Sequence, residues 1–202
     1  MGKVLSESTI LYDSTDSMER NNKEKEYLDY IIEHINFVKK AYKMYMMPLL
    51  EKMVVSTLIS DEELKAAIIK VGLNIDTHDA SKFSDSEFDQ YRAKYYPTQR
   101  ELNGGDDYSR LVDESYEEAW KHHYTVNAHH PMHWVNPDTG AIEDMTLDAI
   151  VEMICDWEAM SIKFNTSTVD WYKTKAIDEK KAMSDKSKEI TEELLFNILH
   201  NC

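Results

Sequence analysis

The sequence predicts an all-α protein with a single core enclosed by five helices or more. Its 202 residues include only five glycines and four prolines, too few for many short strands joined by turns. Along several segments, apolar residues recur at steps of three and four, the period of one helix face. We therefore predict one helical domain over 21–202, preceded by a loosely ordered arm over 1–20 whose polar residues show no periodicity.

Two helices are predicted in the first part of the domain. The first begins near Tyr27 and continues to Tyr45, and Pro48 is expected to kink or end it. The second begins at a capping box over 60–63, a serine with a glutamate three residues on. Its predicted buried stripe is Leu64, Ile68, Val71, Ile75 and His78.

Capping and breaking signals also delimit the middle of the chain. A third helix is predicted to begin at Ser84, with Glu87 at the capping-box spacing, and to stop before Pro97. Residues 103–107 contain two glycines and two aspartates and are expected to form a turn or exposed loop. A fourth helix is predicted over 109–125.

The remaining helices follow a strong turn signal at 136–140. Thr146 is expected to cap a fifth helix, with an inner face of Ala149, Met153, Asp156, Met160 and Phe164. A last amphipathic helix is predicted over 178–200, and its inward residues are Ile190, Leu194, Leu195 and Ile198.

Charge and cysteine usage limit the partners. The formal net charge of −15 repels a polyphosphate backbone, so long nucleic acids are excluded as expected substrates, whereas a small phosphorylated molecule is compatible with a metal site. No apolar run is long enough for membrane insertion or export. Cys155 and Cys202 form no disulfide framework, which fits a reducing cytoplasm. A homo-oligomer is left open.

Three polar residues occupy positions that helical periodicity assigns to apolar faces: His34, His78 and Asp156. Each histidine has an alternative explanation as a core residue satisfied by one hydrogen bond. The carboxylate between Met153 and Met160 is harder to explain without a cation or several donors. The His78-Asp79 pair is followed three residues later by Lys82, whose alternative is a solvated surface lysine.

Five of the eight histidines fall between Trp120 and Trp134. This density indicates a metal or phosphate site, or a polar surface loop. His123 and His130 are seven residues apart and share a helix face if the helix persists, and the same is true of His122 and His129. The spacing does not choose between the two pairs.

The order of these residues resembles the ligand order of HD-domain (His-Asp) metalloenzymes. The matching positions are His34, His78, Asp79, His123, His130 and Asp156. In that family the first histidine, the His-Asp pair and the last aspartate come from separate helices and bind one ion. The two further histidines are similar to those of subfamilies with a second ion, the cyclic-dinucleotide phosphodiesterases and inositol oxygenase-like enzymes. The resemblance implies an HD-domain-like helical bundle with one or two divalent ions, and these ligands suit Fe, Mn, Zn, Ni or Co.

Two strings resemble narrower groups. Residues 78–82 look like the His-Asp-x-Gly-Lys motif of the two-metal groups, with Ser81 in place of glycine, which implies that Lys82 contacts the substrate. The strings His-Asp-x-Ser-Lys-Phe and Trp-x-x-His-x-x-x-Asn-x-His-His resemble an uncharacterised family of small proteins of bacteriophages and bacteria. That resemblance covers most of 25–165 and implies the fold more than a reaction; for a phage protein the compartment is the host cytoplasm.

The expected function is hydrolysis of a phosphate ester in a small nucleotide or related metabolite by metal-activated water. The expected catalytic residues are Lys82 and His129, and the expected substrate-binding residues are Lys82, His122, Asn127 and His133. One alternative is a mixed-valent di-iron oxygenase of the inositol oxygenase-like type. The other is a phage binding protein that sequesters a host nucleotide without turnover.

Overall fold

The computed structural model describes residues 7–48 and 61–199, and within these ranges the protein is all-α. The pairing of Val135 with Ile142 is an isolated bridge rather than a strand. The nine α-helices of the described ranges are α1 (Glu7–Ala41), α2 (Asp61–Asp76), α3 (Phe88–Tyr95), α4 (Gln99–Leu102), α5 (Gly105–Val126), α6 (Leu147–Phe164), α7 (Thr168–Thr174), α8 (Ile177–Lys181) and α9 (Asp185–Leu199). The all-α class and the minimum of five helices are confirmed.

Three short helices of the described ranges are not α-helices. A π-helix, Tyr42–Met46, continues directly from α1, and 3-10 helices span Ala80–Phe83 and Pro131–Trp134. The described chain divides into two compact units, where the sequence had predicted one domain after an arm. The first unit contains residues 7–32 and 81–123, and the second contains 33–48, 61–80 and 124–199.

Aromatic residues fill the interior of the first unit. The Tyr27 ring lies 5.2 Å from Phe88 and 5.7 Å from Tyr96, measured between ring centres. Tyr91 meets Tyr116 edge to face at 5.2 Å. Large rings supply much buried area per residue, so this small group of helices has an apolar centre with few aliphatic side chains.

A buried ion pair joins α3 to α4 in the same unit. Arg92 is almost fully buried, and its two terminal nitrogens donate to the two carboxylate oxygens of Glu101 at 2.6 and 2.7 Å. Glu101 also accepts from the backbone N–H of Thr98, whose hydroxyl accepts from the Glu101 N–H, which completes a capping box. Burial opposes ionisation of Glu101, but the bonds from Arg92 outweigh it and lower the pKa to about 2.

The N-terminal arm predicted over 1–20 is helical from Glu7 onward. Asp16 accepts from Arg100 at 2.6 Å, and Glu19 accepts from the Gln99 backbone N–H at 2.8 Å. Arg20 donates to Asp89 at 2.8 Å. Polar side chains of the segment predicted as an arm therefore tie this part of α1 to α3 and α4.

Helix α6 is the centre of the second unit. It packs against α2, α7, α9 and the π-helix. Every residue from Leu147 to Cys155 is buried, because helices surround its first half. The aliphatic core contributed by the other elements includes Val38, Val71, Ile75, Ile190, Leu194 and Leu195.

Several local expectations for the second unit were only partly correct. In α2, Val71 and Ile75 are buried as predicted, but Ile68 is 38% exposed, so the buried face is limited to the last turns of the helix. Ser60 and the side chain of Leu64 lie outside the described residues. In α6, Ala149 and Met153 are buried, whereas Phe164 is 60% exposed because it is the last residue of the helix.

Several helix boundaries were wrong. Helix α5 begins at Gly105, inside the segment that was expected to be a turn or exposed loop. Glu87 precedes α3 but makes no capping bond to its backbone, because its carboxylate binds histidines instead. The last predicted helix is divided into α8 and α9, and the side chain of Ser184 accepts from the Ser187 N–H at the start of α9. Ile190, Leu194 and Leu195 are buried as expected, and the side chain of Ile198 lies outside the described residues.

No helix in the described part of the chain is long and apolar enough to cross a membrane.

We expect Glu101→Gln to lower the free energy of unfolding by about 3 kcal/mol, because it leaves the buried Arg92 guanidinium without its carboxylate. Chemical unfolding followed by circular dichroism measures the change. The matched control is Glu114→Gln, which removes an exposed pair with Arg110 and should change stability by less than about 0.5 kcal/mol. Equal effects of the two variants would contradict this role for the pair.

Candidate metal centre

A strained turn after α2 presents the His78-Asp79 pair. The turn is closed by a hydrogen bond from the Ala80 N–H to the Thr77 carbonyl at 3.0 Å. Asp79 has a φ of +56°, a left-handed conformation that favours glycine or asparagine. The α-helix does not continue to Lys82 as expected, since the turn leads into a 3-10 helix. An aspartate held in this conformation and buried is a candidate for a functional role.

Four of the predicted ligands converge in the second unit. The Nε2 atom of His34 lies 3.0 Å from Asp156 Oδ1, 3.3 Å from His78 Nε2 and 3.6 Å from Asp79 Oδ2. His78 Nε2 lies 3.5 Å from the same Asp79 oxygen. These residues come from α1, the turn after α2, and α6, so three separate parts of the chain supply one cluster.

His129 and His130 contribute a second set of donors. The Nε2 atom of His129 lies 3.5 Å from Asp79 Oδ1, the oxygen that faces away from His34 and His78. One ligand atom from each of Asp79, His129 and His130 lies within 4.8 Å of the others. Helix α5 ends at Val126, so the seven-residue spacing does not place these histidines, and a turn positions both of them.

The Asp79 carboxylate therefore has one oxygen toward each set. Oδ2 faces His34 and His78, and Oδ1 faces His129. A carboxylate in this position is able to bridge two cations. The sequence predicted His129 as a catalytic group, whereas its contacts resemble those of the other candidate ligands.

Sequence reasoning missed Glu152, which is buried on α6. Its Oε1 accepts from His78 Nδ1 at 2.9 Å and from His129 Nδ1 at 3.2 Å. A signal was present, because Asp148, Glu152 and Asp156 recur every four residues in the otherwise apolar stretch 147–157. We call these three residues the acidic stripe of α6.

The acidic stripe matches polar residues at the same spacing on and after α2. Asp148 accepts from Lys70 and from Asn74, both at 3.2 Å. Glu152, one turn further along α6, binds His78, which is four residues beyond Asn74. The two polar rows thus share a register, so the contacts that align α2 with α6 also position His78.

A second buried glutamate, also missed, lies in the first unit. Glu87 has no solvent exposure, and its two oxygens accept from His122 Nδ1 at 2.7 Å and His123 Nδ1 at 2.9 Å. The Ser81 hydroxyl lies 3.2 Å from His123 Nδ1. Burial raises the pKa of Glu87, but the bonds from His123 and His122 outweigh it and lower the pKa. The spacing of Glu87 from Ser84 matches a capping box, so the sequence indicated a helix-capping role for Glu87 instead of a role in a site.

The other predicted site residues have varied surroundings. Lys82 is half-buried in the first unit, with its ammonium 5.8 Å from the Tyr91 ring centre. Asn127 is half-buried in the second unit. His133 is exposed, and its Nδ1 donates to the Thr125 carbonyl at 2.8 Å. Among the predicted ligands, His34, His78, Asp79, His130 and Asp156 belong to the second unit and His123 to the first.

The cluster of the second unit is strongly ionic. Burial opposes a charge on His78, but Asp79 and the hydrogen bond to Glu152 outweigh burial and raise the pKa of His78 to about 9. Burial likewise opposes ionisation of Glu152, while bonds from His129 and His78 lower its pKa to about 2. For Asp156 the bond from His34 outweighs burial and holds the pKa well below its usual range. Two carboxylates with lowered pKa values, Glu152 and Asp156, thus share one cluster with a histidine whose pKa is raised.

The donor atoms suit a transition-metal ion in type and separation. Imidazole nitrogen together with carboxylate oxygen is the ligand set of Fe, Mn, Zn, Ni and Co. Ligand atoms about 2.1 Å from an ion are about 3.0 Å apart when adjacent in an octahedral shell and about 3.4 Å apart in a tetrahedral one. The separations among the facing atoms of His34, His78 and Asp156 are 3.0, 3.3 and 3.9 Å. A histidine with a purely structural role in a core needs only one hydrogen-bond partner. His78 has polar neighbours at both ring nitrogens, which is the arrangement expected of a metal ligand held by a second residue.

Fold and site together define an all-α protein with a buried histidine–carboxylate cluster. A family model described as "Family of unknown function (DUF5662)" matches residues 23–198, and the chain belongs to this family. The comparisons with curated proteins and with solved structures gave no match. The HD-domain resemblance therefore stays a prediction.

We expect the protein stripped of metal to lose stability as the pH rises from about 6.5 to about 9. The folded-state pKa of His78 is raised from 6.5 to about 9, so its charged form stabilises the fold below pH 6.5, and this contribution disappears as the pH approaches 9. The difference corresponds to about 3 kcal/mol. Chemical unfolding across this pH interval measures it.

The matched control is His133→Gln, which replaces an exposed histidine of the same unit and should retain the full pH dependence. A free energy of unfolding that is constant or increases between about pH 6.5 and about pH 9 would rule out a strongly raised pKa for His78.

Proposed function

We propose that the protein is a metal-dependent phosphohydrolase that acts on a small nucleotide or a related phosphate ester. The observation that carries the proposal is the position of Asp79, with one carboxylate oxygen toward His34 and His78 and the other toward His129. This arrangement supports a centre for two divalent ions. The acidic net charge supports a small substrate rather than a long polyanion.

The residues divide into two candidate ligand sets. His34, His78 and Asp156 would hold one ion, and His129 and His130 the other. Asp79 would contact both, because one of its oxygens lies near His34 and His78 and the other near His129. When bound, such ions polarise a phosphoryl oxygen and lower the pKa of a coordinated water, so that it is a nucleophile at neutral pH. The chain itself supplies rigid donors, because the ligands come from helices and closed turns.

Lys82 is the proposed substrate contact. It follows Asp79 by three residues, is half-buried, and has its ammonium 5.8 Å from the centre of the Tyr91 ring. A lysine in this place would offset phosphoryl charge that develops in the transition state. His122 has a half-exposed ring and Asn127 is half-buried, and both remain candidates for further substrate contacts.

We expect the purified protein to contain a divalent transition metal and to hydrolyse at least one compound in a panel of nucleotides and phosphate esters. Chelation should abolish turnover and lower the melting temperature, because buried carboxylates are poorly compensated without a cation. Asp79→Asn is the sharpest variant, since asparagine tolerates the left-handed conformation while it removes the bridging charge. Elemental analysis should show that the Asp79→Asn variant has lost most of the metal bound by the wild type.

Two outcomes would favour the alternatives. Iron content with oxygen consumption would favour the di-iron oxygenase, whose ligand chemistry the cluster also fits. Tight binding of an unchanged nucleotide would favour a binding protein. Full metal content in Asp79→Asn would contradict the metal centre itself.

We expect Lys82→Ala to reduce kcat roughly a hundredfold while metal content and melting temperature stay unchanged. A half-buried lysine contributes little to a core, whereas the loss of one charge-stabilising donor raises the barrier by about 2 to 4 kcal/mol. Steady-state kinetics on the substrate found in the panel measures kcat and KM separately. The control is Lys175→Ala, which removes an exposed lysine at the C-terminal end of α7 and should leave kcat unchanged. Wild-type turnover by Lys82→Ala would make Lys82 an ordinary surface residue.

A further inference from the structure

We propose that Glu152 is a positioning residue that orients His78 and His129 together, so that one carboxylate prepares one ligand for each of two ions. This inference rests on the metal centre of the proposed function, and it assigns a role to a residue outside the ligand order that the sequence indicated. It does not depend on which reaction the centre performs.

The geometry of the two rings supports this role. Their centres are 4.5 Å apart with planes inclined by 39°, so the two rings are in direct, tilted contact. At one edge of the pair, both Nδ1 atoms lie within hydrogen-bond distance of the same Glu152 oxygen. At the other edge, each Nε2 atom lies 3.5 Å from a different oxygen of Asp79.

The chemistry of a carboxylate then determines the tautomers. A carboxylate oxygen accepts hydrogen bonds, so both Nδ1 atoms must carry protons to bond with the same Glu152 oxygen. A neutral imidazole with its proton on Nδ1 has its lone pair on Nε2, which is the nitrogen that faces Asp79. Hydrogen bonds from a metal-binding histidine to a carboxylate also increase the basicity of the ligand nitrogen.

Glu152 therefore connects the two ligand sets. His78 belongs to the set with His34 and Asp156, and His129 to the set with His130. If the carboxylate is removed, both rings lose the bond that selects Nε2 as the ligand atom. A purely structural role would predict lower stability without a change in ligand nitrogen, and a role toward one histidine would predict weaker binding of one ion.

The experiment uses the full chain stripped of metal and titrated with Zn²⁺ against a chromophoric chelator. We expect the wild type to bind two ions and Glu152→Ala to bind both about 10- to 100-fold more weakly. Glu152→Gln, which keeps an acceptor oxygen without the charge, should show a smaller loss for both ions. The matched control is Glu158→Gln on the same helix, whose carboxylate accepts from the Thr168 hydroxyl and which should retain both affinities.

Nitrogen-15 NMR of the zinc-loaded imidazoles provides the second readout. In the wild type, His78 and His129 should both show a protonated Nδ1 and a zinc-bound Nε2, and this pattern should be lost or mixed in Glu152→Ala. If Glu152→Ala does not fold, Glu152→Gln carries the same test. Wild-type affinity in the variants, or a loss confined to one ion, would overturn the proposal.

The outcomes also separate this inference from the proposed reaction. A wild type that binds two zinc ions but hydrolyses no phosphate ester would refute the reaction and leave the role of Glu152 intact. A wild type that binds no zinc would refute both. Active protein whose zinc affinities do not change on Glu152 substitution would refute only the role of Glu152.

Discussion

The burial of carboxylates along α6 constrains the second unit. Carboxylates in an apolar core are strongly unfavourable unless cations or hydrogen-bond donors meet them, and the acidic stripe places three carboxylates in successive turns. Asp148 is met by Lys70 and Asn74, and Glu152 and Asp156 are met by histidines. Because these partners come from α1, α2 and the turn at His129, the need to satisfy the stripe fixes how these segments meet α6.

The same constraint produces the arrangement at Asp79. The left-handed backbone after α2 turns the chain so that one short side chain reaches histidines on two sides. A strained aspartate persists where its surroundings determine it, and here the buried imidazoles do so. The site is therefore organised by the contacts that hold the unit together, and charge compensation by divalent ions is compatible with that organisation.

The first unit uses the same physical solution in a different core. Its centre is aromatic, and two buried glutamates each bind cationic or donor groups: Glu101 binds Arg92, and Glu87 binds His122 and His123. A fully buried glutamate that accepts from two Nδ1 atoms parallels Glu152 in the second unit. In both places a carboxylate, rather than apolar packing, sets the direction of a pair of imidazoles.

The all-α class and the unusual polar positions were determined by the sequence, because helical periodicity and the placement of His34, His78 and Asp156 on apolar faces are properties of local order. In the structure those three residues form one cluster, and Asp79 lies near its two histidines. The sequence alone did not identify Glu152 or Glu87, or relate His129 to Asp79. The four-residue spacing of Glu152 from Asp156 was a sequence signal, but the tertiary structure decided which histidines meet Glu152 and Glu87. It also decided that His129 meets Asp79, because α5 ends at Val126 and the chain turns at Asp79, and beyond a helix end sequence spacing no longer specifies which side chains meet.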